Sequence, residues 1–304
     1  MTSNLNRRSF LQGALCAAGA IAGLPALAQP SGKRQVLRTS LNAYSFNKML
    51  NDRIKGRGEG ITLIQVLEFA AKTKFDGFDP TGYFMPGYPE RPADAYIDEL
   101  KKRAADLGVG ISGTGVRNNF TTADAEVRKQ GAQHIKEWVE VAARLGAPVI
   151  RVFSGTERPT GYTLDQALDW MVSDFKQCAA FGKEHGVMVG LQQHNDFLKT
   201  AAETIRVIEA VDSPWFGCIL DIGSLRSGDP YAEIEKLVPY AVSWQIKEEV
   251  GRNGKAEPTD LAKIKAIIDA HGYRGYVPFE ALGPGDSRPR VTAFLAKIRA
   301  AFGL

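Results

Sequence analysis

The chain has 304 residues, 44% hydrophobic and 24% charged, with a formal net charge of +4. That apolar share suffices for a large core and excludes a disordered chain. The positive excess is small and dispersed, which excludes the clustered basic face of a nucleic-acid binder.

In chain order, the first feature is a targeting segment. Asn6-Arg7-Arg8-Ser9-Phe10-Leu11 forms a twin-arginine signature, an apolar stretch runs from Leu15 to Leu27, and Ala26-Leu27-Ala28 offers a small-x-small cleavage site. The apolar run is too short to span the roughly 30 Å hydrocarbon core of a bilayer. Residues 1–28 are therefore expected to be a twin-arginine signal peptide. Export to the periplasm follows, with no membrane attachment after cleavage. Residues 29–304 form the remaining domain: removing 28 residues from 304 leaves 276, and losing Arg7 and Arg8 lowers the net charge from +4 to +2. That length suits one TIM barrel, for which about 250 residues is typical. Cys16 falls in the leader. Cys178 sits in a helical pattern and Cys218 in a strand pattern, so both are expected as buried free thiols.

Strand-like and helix-like segments then alternate eight times. Strands are expected at 36–46, 75–79, 109–114, 148–154, 187–193, 216–221, 241–247 and 275–280. Most are short apolar or β-branched runs, as suits parallel strands buried on both faces. Helices are expected near 61–74, 92–107, 124–145, 163–185, 199–212, 229–239, 259–271 and 286–302. In the third, Ile135, Val139, Ala142 and Ala143 make a core-facing stripe. Thr62, Thr122, Thr163 and Thr259 stand where a hydroxyl can cap a helix start. Gly108, Gly146, Gly186 and Gly272 stand where a left-handed residue closes one. Eight β-then-α units predict an α/β fold, a single closed (β/α)₈ barrel. An open doubly wound sheet would carry a G-x-G-x-x-G turn after strand one, where Asn42-Ala43-Tyr44-Ser45-Phe46 stands instead.

In a barrel, chemistry gathers at the C-terminal ends of the strands. Here strand five ends GLQQHNDF (190–197), strand six ILDIGS (219–224), strand seven SWQIKEE (243–249) and strand eight VPFEAL (277–282). Four successive strands thus end in polar groups whose burial costs several kcal/mol unless they are paired or bind an ion. Weaker candidates for holding a substrate hydroxyl are Asn42 and Tyr44 after strand one, Asp79 after strand two, Arg117 after strand three, and Glu248. Trp244, Tyr83, Phe84 and Phe197 are candidates for stacking on a sugar ring. Arg151, early in strand four, suits a buried ion pair to another strand. Gly283-Pro284-Gly285 opens the last helix as a turn.

These strand ends, together with LGAPVIRV (145–152) and EHGVMVGL (184–191), resemble the sugar-phosphate isomerase/epimerase superfamily, the xylose-isomerase-like barrels. The resemblance runs over nearly all of residues 29–304. It implies that a Glu, an Asp, a His and a Glu at the ends of strands five to eight hold one divalent metal. Carried onto this chain, those positions are Gln192, Asp221, Gln245 and Glu280. Gln stands where the pattern has Glu and His, so the implied site is oxygen-rich, with one carboxylate fewer. It would favour Mn²⁺ or Mg²⁺ over Zn²⁺, or hold no ion.

The resemblance also implies a small-molecule carbohydrate substrate, and a homodimer or homotetramer is plausible. Two-glutamate 3-epimerisation is unavailable, since Gln192 cannot accept a proton. Glu280, His194 and Lys247 remain as groups that move a proton or hold an oxyanion. The expected function is metal-assisted proton transfer of isomerase or lyase type on a free sugar, keto-sugar or glycoside, such as cleavage of a 3-keto-glycoside. The alternative is a non-catalytic carbohydrate-binding barrel with a degenerate metal site. The three-zinc nuclease branch of this fold needs many histidines, whereas this chain has four. No G-x-S-x-G elbow supports a serine nucleophile.

Overall fold

The computed structural model describes residues 37–156, 158–194 and 197–304. The expected signal peptide lies outside them, as do Asn195 and Asp196. Among the described residues no helix is long and apolar enough to cross a membrane.

The elements in order are β1 (Leu37–Asn42), α1 (Asn47–Ile54), α2 (Leu63–Lys72), β2 (Gly77–Asp79), α3 (Asp94–Asp106), β3 (Gly110–Ile111), β4 (Thr114–Gly115), α4 (Ala125–Leu145), β5 (Val149–Phe153), α5 (Leu164–His185) and β6 (Met188–Gln192). There follow α6 (Ala201–Val211), β7 (Phe216–Asp221), α7 (Pro230–Leu237), β8 (Ala241–Lys247), β9 (Glu249–Arg252), β10 (Lys255–Pro258), α8 (Leu261–Ala270), β11 (Gly275–Glu280) and α9 (Ser287–Phe302). One sheet runs β3-β2-β1-β11-β8-β7-β6-β5-β4, and every pairing in it is parallel. Its two ends, β3 and β4, are halves of one strand split at Ser112-Gly113. The sheet therefore closes on itself as the expected eight-stranded barrel.

Helix boundaries follow from local chemistry. Thr62 and Thr163 close capping boxes with Gln65 and Gln166. Gly146 and Gly186 end their helices at φ of 81° and 68°, where a Cβ would be strained. Two expected caps differ. Asp124 and Asp260, not Thr122 and Thr259, cap α4 and α8, because a carboxylate is a stronger acceptor beside the helix N-terminus. Thr259 instead donates its hydroxyl to the Lys247 carbonyl at 2.8 Å, pinning the end of β8. Cys178 and Cys218 are buried free thiols.

Strand alternation divides the core. Phe78, Leu191, Trp244 and Phe279 pack outward with the helices in one apolar cluster. Inward-facing residues fill the barrel in layers. Arg38 lies on the Tyr276 ring near the base, and the hydroxyls of Ser40 and Ser112 meet at 2.6 Å above it.

Candidate active site at the barrel mouth

The top layer of the barrel is charged. Register places Glu280 of β11 beside Lys247 of β8, and Asp221 of β7 beside Gln245 of β8. The Lys247 ammonium hydrogen-bonds the Glu280 carboxylate, and its Nζ lies 3.6 Å from Asp221 Oδ2. Burial by itself pushes this ammonium toward its neutral form. The Asp221 and Glu280 carboxylates outweigh that and hold its pKa above the ordinary 10.5. Lys247 is therefore a permanent cation through neutral pH.

Around this triad each polar group has a defined job. Asp221 Oδ2 accepts Gln192 Nε2 at 2.6 Å, and Oδ1 accepts the Gly223 N–H at 3.0 Å. Gln245 Oε1 accepts Asn42 Nδ2 at 3.1 Å, while its own Nε2 is buried without a partner. Gln193 faces the other way, donating to the Asp221 carbonyl at 2.7 Å. A second ion pair lies across the barrel, where Arg151 Nη1 stands 3.4 Å from Asp79 Oδ2 with both side chains buried. Burial raises the Asp79 pKa, which Arg151 opposes and the charge of Glu280 reinforces. Three carboxylates thus face two cations in one water-poor layer.

A cavity of about 480 Å³ opens on this layer. Lys247 and Glu280 form its floor, and His194, Glu248 and Arg290 line its side. The predicted residues divide accordingly. Glu280, Lys247, His194 and Glu248 come together on the cavity. Gln192, Asp221 and Gln245 converge beneath it. Asn42 is committed to the wall: its Oδ1 accepts the Tyr44 N–H and the Thr81 hydroxyl, and its amide donates to Gln245. Asp79 is committed to Arg151, as the early position of Arg151 in its strand predicts. Tyr44 packs on Tyr83 and Phe84, and the Arg117 guanidinium sits 5.0 Å from the Tyr83 ring centroid. Neither of these two lines the cavity. The expectation for Trp244 is corrected: alternation turns it to the helix layer, where it is fully buried edge-on to Tyr273. Phe84 and Phe197 likewise join the core. The turn at Gly283-Pro284-Gly285 precedes a helix start already capped by Asp286.

Sequence reasoning missed part of the cavity wall. A β9–β10 hairpin contributes Val250, Gly251, Ala256 and Pro258. Its signal was present: Asn253-Gly254 takes φ of 48° and 80°, the dipeptide that favours a two-residue hairpin turn. Arg290 comes from α9, where no strand-end signal marks it. Its Nη1 lies 3.6 Å from Glu248 Oε2.

A model of a known family matches residues 67–299 of this barrel, over the strand ends just described. The chain belongs to the xylose isomerase-like TIM barrel family. Among curated proteins it is similar to a 3-oxo-isoapionate decarboxylase of Pectobacterium atrosepticum, 24% identical over 212 residues, covering 68% of this chain and 67% of that protein. Among solved structures it is similar to a D-psicose 3-epimerase of Clostridium cellulolyticum H10, with TM-score 0.71 and 17% identity over 87% of this chain and 99% of that one. It is also similar to a 3-keto-D-glucoside 4-epimerase of E. coli, with TM-score 0.67 and 17% identity over 88% of this chain and 100% of that one.

The divalent ion implied by the resemblance to xylose isomerase-like barrels is not matched by the donors as they stand. Gln192 presents an N–H to Asp221, Gln245 turns its oxygen to Asn42, and an ammonium stands between the two carboxylates. Among the described residues no three His, Cys, Asp or Glu side chains group to hold a metal.

Proposed function

We propose that this barrel acts on a keto-sugar or a keto-sugar acid, by proton transfer at the carbon next to a carbonyl, with an isomerase- or lyase-type outcome. One observation carries the reading: a permanent ammonium, Lys247, partly buried and paired with a buried carboxylate, Glu280, where both line a cavity. Such a pair can hold the oxyanion of an enolate and exchange a proton with its carbon. Glu280, as carboxylate, removes the α-proton. Charge then moves onto the carbonyl oxygen, where the Lys247 ammonium stabilises it in a desolvated setting. The proton returns to another carbon in isomerisation. In a lyase, a leaving group departs from the β-carbon. Loss of CO₂ from a β-keto acid gives the same enolate, which Glu280 in its protonated form then protonates. His194, at the cavity edge, is placed to serve a departing oxygen. The two-glutamate form of epimerisation is unavailable, since Gln192 is an amide bound to Asp221.

The names of the relatives support a carbonyl-bearing sugar, since they cite a 3-oxo acid and a 3-keto-glucoside. The donor set does not fit a divalent ion, so the step is drawn on Lys247 and Glu280. Periplasmic location by the twin-arginine route remains part of the proposal and rests on residues 1–28. The test is incubation of the purified protein in D₂O with keto-sugars, 3-keto-glycosides and 3-oxo aldonates, followed by NMR. Deuterium entering beside the carbonyl, or release of CO₂ or of the leaving group, is expected. Saturable sugar binding without exchange or turnover would reject the enzyme in favour of a carbohydrate-binding barrel.

A further inference from the structure

We infer that Lys247 Nζ takes the place of the divalent cation at this centre, so that the barrel carries its own cation and holds no metal at the mouth. The inference concerns charge and geometry, and stands whatever sugar is bound. Three observations carry it. The ammonium lies between the Glu280 carboxylate and Asp221 Oδ2, where a shared ion would have to sit. The remaining positions commit their amides elsewhere: Gln192 donates its N–H to Asp221, and Gln245 gives its oxygen to Asn42 and keeps a buried, unpartnered Nε2. The donor set is also weaker: relative to the Glu, Asp, His, Glu pattern, Gln192 removes one negative charge and Gln245 puts an amide where an imidazole would stand. A divalent ion entering here would meet an ammonium at contact distance and only two carboxylates, both already neutralised in part.

The experiment reads metal binding without substrate. The purified protein, stripped of metal and returned to metal-free buffer at pH 7, is titrated with Mn²⁺ and followed by electron paramagnetic resonance of the free ion. The wild type is expected to take up no stoichiometric Mn²⁺. Lys247→Met keeps the length of the side chain and removes its charge. It is expected to bind one equivalent, at least about tenfold tighter than wild type, as two freed carboxylates in a preformed ring should. One equivalent held by the wild type and lost in Asp221→Asn would overturn the inference, as would a folded Lys247→Met that binds no better than wild type. Should Lys247→Met fail to fold, Lys247→Gln replaces it: removing the ammonium while keeping a polar head should bring one Mn²⁺, and a folded variant showing no gain also overturns the inference. A wild type without metal that nevertheless fails the deuterium test would reject the proposed reaction and leave this inference intact.

Discussion

At the residue scale, the mouth of this barrel is two ion pairs, Arg151–Asp79 buried and Lys247–Glu280 partly so, whose members cannot be changed singly at low cost. Arg151 is the clearest case. Removing its charge in Arg151→Met leaves the Asp79 carboxylate buried with its other oxygen already unpartnered. A loss of about 3–5 kcal/mol is expected at pH 7. The sign of its pH dependence follows from linkage. The folded-state pKa of Asp79 is raised by burial, so the folded protein takes up the proton more readily than the unfolded chain. Stability is therefore recovered as pH falls through the folded pKa, and more so without Arg151. Denaturant titrations at pH 7 and pH 5 should show the variant's deficit shrinking in acid, and Arg151→Met with Asp79→Asn should be more stable than Arg151→Met alone. A deficit below about 1 kcal/mol at pH 7 would show the pair to be uncoupled from the fold.

At the element scale, two predictions separate the framework from the cavity wall. Gly217 in β7 has no room for a side chain: a Cβ there would lie 2.9 Å from the Tyr240 carbonyl oxygen and press on Val242. Gly217→Ala should lower stability by about 1–3 kcal/mol, read as a drop in Tm with the midpoint shifted and the m-value kept. Gly254→Val forces a β-branched residue to a φ of 80° at the tip of the β9–β10 hairpin. The hairpin walls the cavity without joining the barrel sheet, so KM should rise several-fold while Tm changes little. The element pattern was legible because parallel strands buried on both faces read as short apolar runs, and strand boundaries fell within a few residues of those observed. The pattern predicts strand one to run to 46, whereas β1 ends at Asn42. Asn42 instead caps the turn at Ala43–Phe46, an event decided by its own side chain rather than by periodicity. The pattern predicts one continuous strand over 109–114, whereas Ser112-Gly113 breaks its ladder into β3 and β4.

At the scale of the whole molecule, the residues of the mouth were legible because polar groups interrupt apolar runs at four successive strand ends. Their partnerships were not. Asn42 meets Gln245 across 203 positions of sequence, and Lys247 meets Asp221 as well as Glu280, through the stagger by which the closed sheet offsets each strand from the next. No local pattern records that stagger. The same closure brings α9 back over the mouth, placing Arg290 on the cavity where no motif announces it. The central claim is that Glu280 moves a proton beside a substrate carbonyl with Lys247 holding the oxyanion. Its most direct measurement is the rate of solvent deuterium entry into a turned-over keto-sugar by wild type and by Glu280→Gln, at equal substrate occupancy. The expected result is a fall of at least about 100-fold in the variant, the size of a lost general base, with binding retained. Exchange at the wild-type rate in folded Glu280→Gln would contradict it.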